Sequence, residues 1–152
     1  MVNVSWEKAK EFCKWLTAKT GKPWRLPTNA EWQAAAAKTL YPWGEYFPPK
    51  WDDGNYSIQP NGIHDNSRVG ADGIRGTAPV GSFKPNTLGF LDLGGNVWEW
   101  VWDKPGHARG GGWDVTAGRG VINDLSSASK IAVKPSLTYD SIGLRLVRGA
   151  GL

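Results

Sequence analysis

Cysteine is almost missing from this chain. Cys13 is the only one in 152 residues, so no disulfide can form within the chain and cysteine usage leaves the redox compartment open. Histidine is nearly as scarce. His64 and His107 are the only two, and a pair on unrelated segments reads as surface residues rather than a metal site. No stretch reaches the roughly 20 apolar residues of a membrane-spanning helix, and no secretory signal peptide precedes the first amphipathic segment. Membrane insertion is therefore not expected, and the chain reads as soluble, either cytoplasmic or exported by other means. The eighteen lysines and arginines give a formal charge of +4 but are scattered without forming a basic stripe, so nucleic acid is not expected as a partner. No Ser-His-Asp arrangement can be argued from spacing.

Glycine, proline and tryptophan are abundant instead, at 20, 10 and 10 residues, with only 21% charged residues. This is the composition of a loop-rich globular domain with large rigid anchors. Ser5 precedes apolar Ala9, Phe12, Cys13 and Leu16 at helical spacing, which predicts a helix over 6–19 ended by Gly21 and Pro23, with Cys13 a small core residue. Thr28 and Glu31 stand at capping-box spacing and start a second helix through Ala34 to Ala37 that stops near Thr39. From Tyr41 to about Asn86 prolines and glycines interrupt every period, so a long loop is expected, pinned by ions or by aromatic anchors such as Trp43 and Trp51. Short strands are expected at 95–102, around 111–113 and at 142–147. In the first, Trp98, Trp100 and Trp102 share one face and read as core packing. The class is α+β.

Seven segments carry a resemblance when read in order: Asn3-Val4-Ser5-Trp6, Trp24-Arg25-Leu26-Pro27-Thr28-Asn29-Ala30-Glu31-Trp32, Tyr41-Pro42-Trp43-Gly44, Gly76-Thr77-Ala78-Pro79-Val80-Gly81, Gly94-Gly95-Asn96-Val97-Trp98-Glu99-Trp100, Arg109-Gly110-Gly111-Gly112-Trp113 and Ile142-Gly143-Leu144-Arg145-Leu146-Val147. Together they resemble the formylglycine-generating-enzyme (sulfatase-modifying factor) family. The resemblance implies a C-type lectin fold with two helices, small antiparallel sheets and long loops. It also implies one domain over residues 1–152: a scaffold over 1–113, a region 114–141 open to variation, and a final core strand at 142–148. The family normally carries further strands before Asn-Val-Ser-Trp. Their absence here leaves the pairing of the first sheet edge open. Arg25 and Arg145 are expected to tie loops together through carbonyls or carboxylates.

The resemblance also implies calcium at up to two places. The first set would be the side chains of Asn55 and Asp72 with the carbonyls of Tyr56 and Ile74; the second, Asp92 and Glu99 with the carbonyls of Gly95 and Val97. Calcium takes six to eight hard oxygens that loops can supply. Asp and Asn in turns also bond their own backbone, and Glu99 could pair with an arginine instead. Catalytic members hold copper with two cysteines, whose positions fall near Val115 and Gly120 here. With no soft ligand there, copper is not expected. Iron-dependent relatives need three histidines, so iron is not expected either. The expectation is that the chain is not an enzyme, the rival being an oxidoreductase of the family or its inactive homologue or regulatory subunit. A structural calcium module within a larger chain is a third reading.

Lys130, Pro135 and Ile142 keep spacings similar to those in variable proteins of diversity-generating retroelements, which share this fold. In that group adenines of AAC-type codons are mutated, and such codons cannot yield Lys, Glu, Gln, Met or Trp. Residues 114–129 and 137–141 contain none of the five. The resemblance therefore implies a displayed, ligand-binding face drawn from Asp114, Val115, Thr116, Arg119, Asn123, Asp124, Ile131, Val133, Leu137, Tyr139 and Asp140. This mixture of apolar area and directional polar groups suits a protein or other macromolecular ligand, with display on a virion or cell surface. The alternative is that Ile131 and Val133 form a buried strand face with period two.

Overall fold

A computed structural model describes residues 1–56, 73–114 and 125–149. The first helix, α1 (Trp6–Thr20), starts where Ser5 accepts from Lys8 N and stops at Gly21, whose left-handed φ of 66° suits its missing Cβ. After β1 (Trp24–Arg25), the helix α2 (Asn29–Ala35) opens on a complete Thr28/Glu31 capping box. It closes early because Ala37 and Lys38 turn to φ of 63° and 58°.

The remaining strands are β2 (Trp98–Trp100), β3 (His107–Arg109), β4 (Ile131–Ala132), β5 (Ile142–Gly143) and β6 (Val147–Arg148). Four of them form a sheet in the order β4-β3-β2-β5, while β1 and β6 form a separate antiparallel pair. The sheet is mixed: β2 and β5 run parallel, and the long stretch between them supplies the crossover that parallel pairing requires. Val2 bridges antiparallel to Gly143, so the chain's first residues cover the β5 edge.

Strand β2 is buried on both faces and divides the core by its period of two. On one side Trp98 and Trp100 join Trp6, Ala9, Cys13 and Leu26; on the other Val101 joins Trp32, Ala36 and Leu93. Two indoles lock α1 to β2, Trp6 Nε1 donating to Val101 O at 2.7 Å and Trp100 Nε1 to Val4 O at 2.9 Å. Trp102 departs from the expected shared core face and is 40% exposed, because β2 has ended and its amide donates to Pro27 O.

The strand expected around 111–113 lies earlier, at His107–Arg109. Gly110 and Gly111 adopt φ of 98° and 80° there and turn the chain out of extended geometry. Trp43 anchors the long loop as expected, stacking on Tyr41 and meeting Tyr56 edge-on. Trp51 does not, being 66% exposed. Asparagines carry the rest of the pinning. Asn96 donates to Ala78 O and accepts from Ala78 N, and Asn55 donates to Gly76 O at 2.7 Å.

Candidate binding face and calcium sites

The segment 133–142 is held by its backbone. Val133 N donates to Gly106 O at 2.9 Å, Leu137 N to Lys134 O at 3.0 Å, Asn3 N to Tyr139 O at 3.0 Å and Trp98 N to Ser141 O at 2.8 Å. On that fixed backbone Leu137, Tyr139 and Asp140 stand exposed. Asp114 belongs to the same area: a Cβ added at Gly112 would meet Asp114 Oδ1 at 2.7 Å and Ser141 O at 3.1 Å. The Trp113 indole reaches Asp140 O at 3.4 Å. The structure thus places Asp114 beside the segment that carries Tyr139 and Asp140.

Ile131 and Val133 separate from this group. Both are half-buried and pack against the main core, the arrangement of a period-two strand face. Val115, Thr116, Arg119, Asn123 and Asp124 lie outside the described residues.

Of the first calcium set, Asn55 and Tyr56 are buried side by side, and Ile74 follows two residues after Asp72, itself outside the described residues. The Asn55 amide nitrogen is committed to Gly76 O, so its oxygen is the atom that would face a hard cation.

Of the second set, Asp92, Val97 and Glu99 line a cavity of about 220 Å³ with Asn96 and Arg145, and Gly95 does not. Asp92 Oδ2 accepts from Gly81 N while Oδ1 is buried with no partner among the described residues, an orphan that suits a cation. Glu99 is differently placed. Its oxygens accept from Arg145 Nε at 2.9 Å, Arg145 Nη2 at 2.8 Å and Trp32 Nε1 at 2.8 Å. Arg145 Nη2 also donates to Leu91 O and Asp92 O, so a guanidinium already joins this loop to the sheet. Burial alone would lower the Arg145 pKa, but the charge and hydrogen bonds of Glu99, with the charge of Asp92, together outweigh it and the net direction is upward. Of the second set, Asp92 fits calcium, while Glu99 already has its cation.

Among the described residues no group of three or more His, Cys, Asp or Glu could hold a metal ion. No described helix is long and apolar enough to cross a membrane. The Cys13 thiol is buried against the core, and burial pushes its pKa up. Arg109, which sequence reasoning left aside, ties β3 to α2 and to the 127–129 turn. Its Nε donates to Asn29 Oδ1 at 2.8 Å and Nη1 to the carbonyls of Ser127, Ala128 and Ser129 at 3.2 to 3.4 Å.

Two helices, a small mixed sheet and a long asparagine-pinned loop define a domain of the C-type lectin type as formylglycine-generating enzymes use it. The chain belongs to the family described as the sulfatase-modifying factor enzyme 1-like domain, whose model matches residues 1–150. It is 34% identical over 163 residues to the Bos taurus protein named inactive C-alpha-formylglycine-generating enzyme 2, covering 99% of this chain and 50% of that protein. It is 40% identical over 107 residues to the Mus musculus formylglycine-generating enzyme, covering 68% of this chain and 27% of the other. The chain therefore spans half or less of the length of these relatives.

Among solved structures, PvdO from Pseudomonas aeruginosa superposes with a TM-score of 0.71 at 27% identity, covering 98% of this chain and 61% of that one. Treponema denticola variable protein 1 superposes with a TM-score of 0.74 at 20% identity, covering 96% and 69%, and shares the fold.

These relatives correct the expectation that the chain is not an enzyme. Proteins 38–40% identical to it, from Mus musculus to Streptomyces coelicolor, are named formylglycine-generating enzymes, so catalysis belongs to the family even though another relative is named inactive. The expectation rested on two cysteine positions, near Val115 and Gly120. Both lie outside the described residues, and the missing thiols do not remove the chain from a catalytic family.

Proposed function

We propose that this domain binds a protein or other macromolecular ligand through the face around Asp114, Leu137, Tyr139 and Asp140, and that the face is diversified in the manner of a retroelement variable protein. The observation that carries the reading is the pairing of exposed, chemically mixed side chains with a backbone hydrogen-bonded to β2 and to Asn3. A backbone already fixed loses little entropy when a ligand docks, while tyrosine, leucine and aspartate supply area and direction. The codon-compatible composition of 114–129 and 137–141 supports the same reading, as does the shared fold with a protein named variable. Sequencing the gene and its neighbourhood across a clonal population tests it. A reverse transcriptase beside a near-copy of the 3′ end is expected, with substitutions confined to codons of 114–129 and 137–141 while Lys130 and Ile142 stay constant. Variation spread evenly along the gene, or none, rejects it.

Calcium is part of this proposal as a cross-link at Asn55, Tyr56, Asp72 and Ile74, where it would join the chain on either side of residues 57–71. A second function is carried by the relatives named formylglycine-generating enzyme: oxidation of a substrate thiol. Incubating the purified protein with a cysteine-containing peptide, copper and oxygen, and following formylglycine by mass spectrometry, tests that reading. Since Cys13 is buried, conversion would have to survive Cys13→Ala.

A further inference from the structure

Residues 142–148 run along one side of the molecule as a single extended segment. On its inner side β2 lies along β5 and β1 along β6, and the two meet where Trp102 N donates to Pro27 O at 2.8 Å. On its outer side the one bridge among the described residues joins Val2 to Gly143. Gly143 admits that close neighbour, since a Cβ there would stand 2.5 Å from Met1 O. Beyond Leu144, no described strand pairs with the outer side.

Backbone alternation decides which groups are left over. In an antiparallel ladder, successive residues turn their peptide groups first towards the partner strand and then away from it. Gly149 N donates to Pro23 O at 3.0 Å and the register sets Val147 opposite Arg25, so Gly149 and Val147 face β1. Arg148, and by the same alternation Leu146, turn their N–H and C=O groups to the outer side, where no described residue bonds them. The Arg148 side chain is exposed too and forms no ion pair among the described residues. Apolar surface borders this edge. Leu144 lines the cavity of about 220 Å³ with Met1 and Val80, and Leu146 and Val147 line another of about 290 Å³ with Phe90. Met1, Val80 and Phe90 are exposed.

We propose that this edge binds an extended peptide segment of another protein, acidic and apolar in composition, as an added antiparallel strand. Unpaired peptide groups beside apolar surface are a template for strand addition. The Val2 bridge fixes the direction: the added segment lies in the line that Met1 begins and exchanges hydrogen bonds with Leu146 and Arg148. A carboxylate opposite Arg148 completes a cross-strand charge pair. Charge also selects a foreign acidic segment over a second copy, because pairing two such edges would bring together two chains of formal charge +4. The edge lies outside residues 114–141 and does not rest on the diversified-face reading.

Amide–water exchange followed by NMR on the whole chain tests the proposal, with the peptide acetyl-Thr-Glu-Val-Val-Thr-amide as probe. At a dissociation constant of about 1 mM, about 5 mM peptide should slow exchange at Leu146 and Arg148 about sixfold, following 1 + [L]/Kd. Val147, already bonded to β1, should not change. The counterpart acetyl-Thr-Lys-Val-Val-Thr-amide should bind severalfold more weakly, and Arg148→Glu, at an exposed position, should reverse that preference. Slow exchange at Leu146 and Arg148 before any peptide is added would overturn the proposal, because the chain would then fill its own edge. Slowing that grows with protein concentration alone would also overturn it, in favour of a second copy. So would equal binding of the two peptides, slowing at Val147 as large as at its neighbours, or no saturable effect up to about 10 mM peptide.

Discussion

Glu99 is the residue on which the fold leans most heavily. It is 5% exposed, lies in strand β2, and accepts hydrogen bonds from three donor atoms, Arg145 Nε and Nη2 and Trp32 Nε1. A carboxylate so placed is tolerable only while its partners remain, because an unpaired buried charge costs far more than the pair contributes. Arg145→Met is therefore expected to destabilise the protein by about 3–5 kcal/mol. The double variant Glu99→Gln with Arg145→Met should lose clearly less than the sum of the two single losses. Urea denaturation of the four proteins measures the cycle, and strict additivity would show that the two side chains do not act as a pair. Gly95 is constrained by geometry instead of charge. Its φ is 71° and a Cβ there would stand 2.6 Å from the Tyr56 ring, so Gly95→Ala should cost on the order of 2–4 kcal/mol in the same measurement.

Each short element depends on its ends. Helix α2 has seven residues, too few to persist on propensity alone, and Glu31 secures its first turn twice: it accepts from Thr28 N to complete the capping box and pairs in bidentate fashion with Arg25 at 2.6 Å. The Arg25 guanidinium foremost, then the Thr28 amide, holds the Glu31 carboxyl down at about 2, against an ordinary 4.5. A depressed carboxylate contributes its stability above the unfolded value and loses it as pH falls towards the folded one. The window is therefore roughly pH 4.5 down to 2. Because the side chain is about a third exposed, solvent screening reduces the contribution to about 1–2 kcal/mol. Glu31→Gln should accordingly lose less stability than the parent between pH 5 and 2.5; identical curves would place the acid sensitivity elsewhere. Thr28→Ala, which removes one arm of the box, is expected to cost about 1 kcal/mol at pH 7.

These caps are also why both helices were legible in the sequence: a cap residue followed by a 3.6-residue period is a local signal. Strand β3 was not, since His-Ala-Arg lacks every β-forming residue type and is a strand only because β2 and β4 flank it. The candidate face divides for a related reason. Leu137 and Tyr139 are exposed, yet Ile131 and Val133 show the same apolar types and pack on the core. An alternating apolar run reads the same whether it lines a core or a binding surface.

At the scale of the whole molecule, the notable economy is how little regular structure holds it. Among the described residues, strands of two or three residues and two helices enclose the core, and Asn55 donates to Gly76 O, which ties together the segments on either side of residues 57–72. A cross-link there acts as any ligand specific to the folded state does, adding RT ln(1 + [L]/Kd) to stability. With a sensor-like Kd of about 10 µM and about 1 mM calcium, the gain is about 2.7 kcal/mol, or roughly 5–10 °C in Tm for a chain of this size. Scanning calorimetry in calcium and in chelator is expected to show that difference. Magnesium should fail to reproduce it, because its strict octahedral shell suits a loose set of carbonyls poorly. Asn55→Ala should abolish the calcium-dependent increment whatever it does to the baseline, whereas Asp92→Asn should leave the increment intact if the first set is the one that binds. Superimposable scans with and without calcium would mean that Asn55, Asn96 and the aromatic anchors hold the loop by themselves.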